Sequence, residues 1–118
     1  MPIAEPQQLD QAFHALADSN RRAIVDRLTS GAASVSELAA PLGVSLPTVL
    51  QHLDVLQRSG FVRSEKVGRV RTCRLEPGAM RAMEHWIVEH RAILERRLDI
   101  LGDVLDNAFP IMEGHRSR

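Results

Sequence analysis

The stretch from Ser34 to Arg58, SVSELAAPLGVSLPTVLQHLDVLQR, constrains the chain more than any other part of it. Ser34 or Ser36 opens a short helix there, and Ser34 with Glu37 three positions on has the spacing of a capping box. Ser45 suits the cap of a second helix. Leu46 and Pro47 are then its first two positions, where the missing proline N–H breaks no helical hydrogen bond. Leu42-Gly43-Val44 between the two is a tight turn. Helix, glycine-containing turn, helix is the helix-turn-helix plan, and the rest of the chain has to pack around it.

On the N-terminal side, Leu9, Ala12, Phe13 and Leu16 recur at helical spacing, and the helix they predict stops near Asp18-Ser19. Asp18, Ser19 or Asn20 can cap the next helix, whose apolar stripe is Ala23, Ile24 and Leu28, and Ser30-Gly31 ends it. On the C-terminal side, Ser59-Gly60 stops the second helix of the central pair. FVRSEKVGRVRTCRL then alternates around Gly68 as two strands joined by a tight turn. After Glu76-Pro77-Gly78, the residues Met80, Met83, Trp86, Ile87, Leu94, Leu98, Leu101 and Leu105 continue at three- and four-residue steps to about Asp106, with Gly102 as the weak point. Roughly 28 helical residues span ~42 Å, more than the ~30 Å width of a small domain, so part of that stripe is expected to meet another chain.

The expected organisation is one domain over residues 9–107, a disordered start at 1–8 and a flexible tail at 108–118; 118 residues are enough for one core. No basic start followed by an apolar run opens the chain, and no stretch approaches the ~18 apolar residues of a membrane span, so a cytoplasmic location and no membrane partner are expected. Cys73 is a single cysteine and cannot form an internal disulfide. Its place in the alternating strand reads as a small buried hydrophobe, with a redox sensor as the rival.

Charge balances over the whole chain at 15 basic and 15 acidic residues, but not locally. From Arg21 to Leu75 nine basic residues face four acids, which leaves that stretch at +5 and the two ends together at −5. An anion partner would therefore be met in the middle. Catalysis is not expected, since no nucleophile, base and orienting group stand together and no glycine-rich phosphate loop or metal triad is present.

Placing residues at 100° steps puts Val49, Leu53 and Leu56 on one narrow face of the helix that follows Ser45, with His52 flanking it. Pro47, Thr48, Gln51, Val55 and Arg58 lie on the other side with no evident task inside the chain. A free N-terminal turn with small polar groups, an amide and an apolar ring suits the major groove of DNA, where Gln can pair with adenine and Thr or Pro can touch a thymine methyl. The residues expected to meet DNA are Ser45, Pro47, Thr48, Gln51, His52 and Arg58 on the helix, and Lys66, Arg69 and Arg71 on the hairpin. Arg63 would add phosphate charge. For His52, packing, a phosphate contact and a base contact all remain open.

The runs FHALADSNRRAIVDRL, SVSELAAPLGVSLPTVLQHLDVLQRSGFV and GRVRTCRL together resemble the ArsR family of bacterial winged-helix repressors over about residues 10 to 106. The resemblance implies a mainly α fold with a small β-hairpin, a winged helix-turn-helix that forms a homodimer through its first and last helices. It also implies a transcriptional regulator, most simply a repressor, that binds palindromic operator DNA with helix 45–59 in the major groove and hairpin 61–75 as the wing. Leu9, Phe13, Leu16, Trp86, Leu94, Leu98, Leu101 and Leu105 are the interface residues it implies. SELAAPL lacks the cysteines with which some members bind metal, and Glu84, His85, Glu89 and His90 lack the family's widely separated ligand pairs. No metal or other cofactor is expected, and EHWIVEHRAILERRLDIL more closely resembles the metal-independent, SdpR-like branch. Leu50 departs from the small polar residue that many relatives carry. Two rivals remain: a metal- or thiol-responsive sensor of the same fold, and a winged-helix interaction module without DNA binding.

Overall fold

The computed structural model describes residues 6–108, and expectations for residues 1–5 and 109–118 lie outside the described residues. The chain divides after Glu84 into two compact units. The first holds α1 (Pro6–Leu16), α2 (Ser19–Leu28), β1 (Ala33–Ser34), α3 (Val35–Leu42), α4 (Leu46–Arg58), β2 (Val62–Val67), β3 (Val70–Leu75) and the opening turns of α5 (Gly78–Ala108). The described part of the second unit is the remainder of α5.

The starts of α2, α3 and α4 are each fixed by a side chain that satisfies backbone N–H groups otherwise left without partners. Of the three candidates for α2, Asp18 is the cap, its Oδ1 accepting from the N–H groups of Asn20 at 2.8 Å and Arg21 at 3.1 Å. Ser34 rather than Ser36 caps α3 in a complete capping box: Ser34 Oγ accepts from the Glu37 N–H at 3.2 Å, and Glu37 Oε1 accepts from the Ser34 N–H at 2.9 Å. Ser45 caps α4, accepting weakly from the Thr48 N–H at 3.4 Å, and Pro47 lies in the first turn as the spacing required.

The end of α4 positions the wing. The Phe61 N–H reaches the Leu56 carbonyl at 2.9 Å and the Gly60 N–H reaches Gln57 at 3.2 Å, which is the paired bonding of a Schellman motif. Gly60 takes φ +86, and a Cβ there would meet the Cβ of Ala79 at the start of α5 at an ordinary contact distance of 3.5 Å, so it is the backbone conformation that favours glycine. Phe61 and Leu56, the two residues such a motif brings together, are both fully buried.

Strands β2 and β3 pair antiparallel from Val62↔Leu75 to Val67↔Val70. Gly68 at φ +64 and Arg69 make the two-residue turn, and a left-handed residue at the first central position alone matches a type II′ hairpin. The sheet gains a third strand that periodicity did not reveal: β1 pairs with β3 at Ala33↔Cys73 and Ser34↔Thr72, giving the order β1-β3-β2. Two residues are too few to carry an alternation.

The core gathers Ile24, Val25 and Leu28 from α2, Leu38 from α3, Val49, Leu53 and Leu56 from α4, and Phe61, Val62 and Cys73 from the wing, with Ala12 and Ala15 of α1 closing over it. Full burial of an aliphatic or phenylalanine side chain contributes about 1.5–3 kcal/mol. Cys73 is wholly buried, and desolvation pushes its thiol pKa up despite the opposing charge of Arg71, which makes it a packing group and a poor nucleophile. Helix α1 begins at Pro6, so residues 6–8 of the expected disordered start are helical, and α5 passes through Gly102 to Ala108, two residues beyond the expected end. No helix among the described residues is long and apolar enough to cross a membrane.

Candidate nucleic-acid interface

Helix α4 buries the stripe that its sequence predicts: Val49, Leu53 and Leu56 are at most 2 % exposed. Leu46, Pro47, Leu50, Gln51, Asp54 and Arg58 are exposed, while Thr48, His52 and Val55 are half-buried. Val55 packs against the core, so its place opposite the stripe does not make it a surface group.

At the N-terminal end, the hydroxyls of Ser45 and Thr48 share a hydrogen bond of 2.9 Å. Whichever donates, the second hydroxyl proton remains to point outward. Gln51 stands exposed on a shallow surface that also includes Arg21, Asp54 and Arg58. Arg58 forms an i,i+4 ion pair with Asp54 at 2.9 Å, with both side chains well exposed, a pairing worth only about 0.3–0.5 kcal/mol and readily exchanged for a phosphate.

His52 is turned to the side of the helix that meets α2. Its Nδ1 lies 3.4 Å from Arg21 Nη1, while Arg21 Nε donates to the Ala15 carbonyl at 2.6 Å and Nη2 to the His14 carbonyl at 3.2 Å. Arg21 thus closes the C-terminal end of α1 and reaches α4 with one side chain. Nothing in the sequence around Arg21 distinguishes it from the other cations of the basic middle stretch. Asp18, beside this cluster, has its carboxyl pKa held below the usual value, first by the hydrogen bond from the Arg21 backbone.

Three of the wing's cations, Lys66, Arg69 and Arg71, lie together. Lys66 and Arg71 are cross-strand partners in the β2–β3 register, and Arg69 occupies the turn. Like charges set opposite each other cost stability in a free sheet and become favourable when an anion lies across them. Arg63, by contrast, pairs with Glu76 at 2.8 Å near the base of the wing and is not part of this group. Between α4 and the wing lies an open cleft of about 740 Å³, with Lys66, Arg69 and Arg71 on its wing side and Leu46 and Leu50 on its helix side; no carboxylate lines it.

The cleft walls are joined by a connection that no sequence spacing announces. Gln57 Nε2 of α4 donates to Ser64 Oγ of β2 at 2.6 Å, and Arg71 Nε of β3 donates to the same oxygen at 3.1 Å. Ser64 therefore fixes how Arg71 stands relative to α4.

The residues expected at a subunit interface fall in both units. On α1, Phe13 is exposed, and Leu9 and Leu16 are half-buried, with Leu16 packed against the core. On α5, Trp86, Leu94, Leu98, Leu101 and Leu105 are each between 41 % and 57 % exposed. Trp86 stacks on His90 with ring centroids 4.2 Å apart, and His90 Nδ1 lies 2.8 Å from the Trp86 carbonyl. His85 Nε2 meets Glu89 at 2.9 Å. Among the described residues no three His, Cys, Asp or Glu side chains are grouped to hold a metal ion.

The family described as a helix-turn-helix domain matches residues 16–65, which run from the end of α1 to the middle of β2. The chain is 46 % identical over 74 residues to the HTH-type transcriptional regulator Rv2034 of Mycobacterium tuberculosis, covering 63 % of this chain and 69 % of that protein. It is 26 % identical over 61 residues to the transcriptional repressor SdpR of Bacillus subtilis, covering 52 % of this chain and 68 % of that one. Among solved structures, the crystal structure of an ArsR family transcriptional regulator superposes with a TM-score of 0.74 at 44 % identity, over 80 % of this chain and 97 % of the other.

Proposed function

The chain belongs to the ArsR family of winged helix-turn-helix transcriptional regulators, and from that premise we propose that it is a homodimeric repressor of the SdpR-like branch. It binds palindromic operator DNA and has no catalytic activity. In this reading α4 enters the major groove, with Pro47, Thr48 and Gln51 toward the bases. Ser45, His52 and Arg58 hold its flanks, and Lys66, Arg69 and Arg71 of the wing hold the backbone beside it.

The observation that carries the reading is the like-charge pair Lys66 and Arg71, set in cross-strand register on the wing wall of a cleft that no carboxylate lines and whose other wall includes the exposed Leu46 and Leu50 of α4. A polyanionic strand is what that arrangement lacks. Two copies joined through Phe13 of α1 and the exposed Leu94, Leu98, Leu101 and Leu105 stripe of α5 would present two such helices to the two halves of a palindrome. The similarity to the SdpR repressor supports repression over activation.

Footprinting over the region upstream of its own gene, followed by fluorescence anisotropy on the protected sequence, tests this. Protection of a palindrome with micromolar or tighter affinity that falls steeply with salt is the expected result. Binding that is flat in salt, or a pull-down that returns a stable hetero-partner while no sequence is protected, would replace it with an interaction module.

A further inference from the structure

Leu46 and Leu50 stand one helical turn apart on α4, are 49 % and 40 % exposed, and belong neither to the core nor to the polar groups suited to hydrogen-bonded reading. They are not an overflow of the core, because Val49, Leu53 and Leu56 already complete it. Both line the cleft between α4 and the wing, where Val35 and Val70 extend the apolar lining and Lys66, Arg69 and Arg71 supply the charge. An apolar wall beside three cations fits one strand of DNA, its phosphates against the cations and a nonpolar group of its bases against the leucines.

In the major groove the base edge with such a group is that of thymine, which presents its C5-methyl. Successive residues lie about 100° apart around a helix, so Leu50 and Gln51 flank each other and address different base pairs. Resting on the reading of α4 as the major-groove helix, we propose that Leu50, backed by Leu46, is a specificity-determining residue that recognises a thymine methyl on the wing side of each half-site. Leu50 is then selected by its contact with DNA rather than by packing.

The test uses the full chain and the operator obtained by selection from a random duplex pool, with deoxyuridine replacing thymine one position at a time. Uracil keeps every hydrogen-bonding group of thymine and lacks only the methyl. The proposal expects one or two positions per half-site at which the replacement weakens binding about fourfold, the factor that matches ~0.8 kcal/mol for one buried methyl-sized group. In Leu50→Ala, whose fold is checked by circular dichroism, thymine and uracil operators should bind equally. Gln51→Ala should retain the discrimination. Indifference of the parent protein to deoxyuridine everywhere, or discrimination that persists in Leu50→Ala, overturns the proposal while steep salt dependence still upholds the DNA-binding reading. Failure to select any sequence removes both.

Discussion

Gln57 and Arg71 donate to one acceptor, Ser64 Oγ, from 2.6 Å and 3.1 Å. One comes from α4 and the other from the central strand β3, so the oxygen ties the helix proposed to enter the groove to the wing proposed to lie beside it. Ser64→Ala should weaken operator binding roughly threefold to tenfold, from hydrogen bonds worth about 0.5–1.5 kcal/mol, with little change in melting temperature. Anisotropy titration beside a thermal melt measures both, and unchanged affinity would show that Arg71 needs no such support.

Gln51 and Lys66 should fail in different ways. Gln51→Ala is expected to cost about 1–3 kcal/mol on the preferred operator and little on random DNA, which flattens base preference. Lys66→Ala should weaken binding to all sequences alike and lower the slope of log affinity against log salt by about one. Titrations at four or five salt concentrations on both duplexes separate the two patterns.

The exposed apolar stripe of α5 is the proposed seat of self-association. Leu98→Glu puts a carboxylate into a proposed interface that the Leu94, Leu101 and Leu105 side chains would otherwise keep dry. Sedimentation velocity should find the parent dimeric and the variant monomeric, with the variant losing most of its affinity for a palindrome while its circular dichroism spectrum is retained. A variant that remains dimeric would move the interface elsewhere.

Acid should loosen two helix starts. The Asp18 pKa is lowered by the backbone hydrogen bonds of Arg21 and Asn20, and that of Glu37 by the backbone and side chain of Ser34. A folded-state pKa below the unfolded one gives stability that is present above the ordinary carboxylate range, near about pH 4, and is lost as pH falls through the depressed values. Asn also caps helices but does not titrate. Melting curves from pH 7 to 3 should therefore bring Asp18→Asn closer to the parent in acid than at neutrality, whereas parallel curves would remove the contribution of that carboxylate.

What was legible in the sequence follows from the range of each interaction. Ser34, Glu37 and Ser45 announce themselves because a cap acts within three residues, and the buried stripe of α4 because a helix repeats every 3.6. Asp18 could not be separated from Ser19 and Asn20 by type, since all three can cap and only the local backbone decides. Strand β1 is too short to show a period. The meeting of Gln57, Ser64 and Arg71, and the tether from Arg21 to His52 across 31 positions, depend on how the elements pack, which no local pattern encodes. Leu50 was visible as an oddity, and the cleft beside it gives that oddity a direction.

The pairing of Ala33 with Cys73 joins residues forty positions apart, and both helices of the central motif lie on the chain between them. During synthesis this loop cannot close until β3 has left the ribosome. Helix α4 is made well before the strand that pairs with the start of α3 and lines the far wall of the cleft. A chain ending before Thr72 therefore carries all of α3 and α4 without the strand that frames them, so the arrangement proposed to meet DNA exists only once the wing is complete.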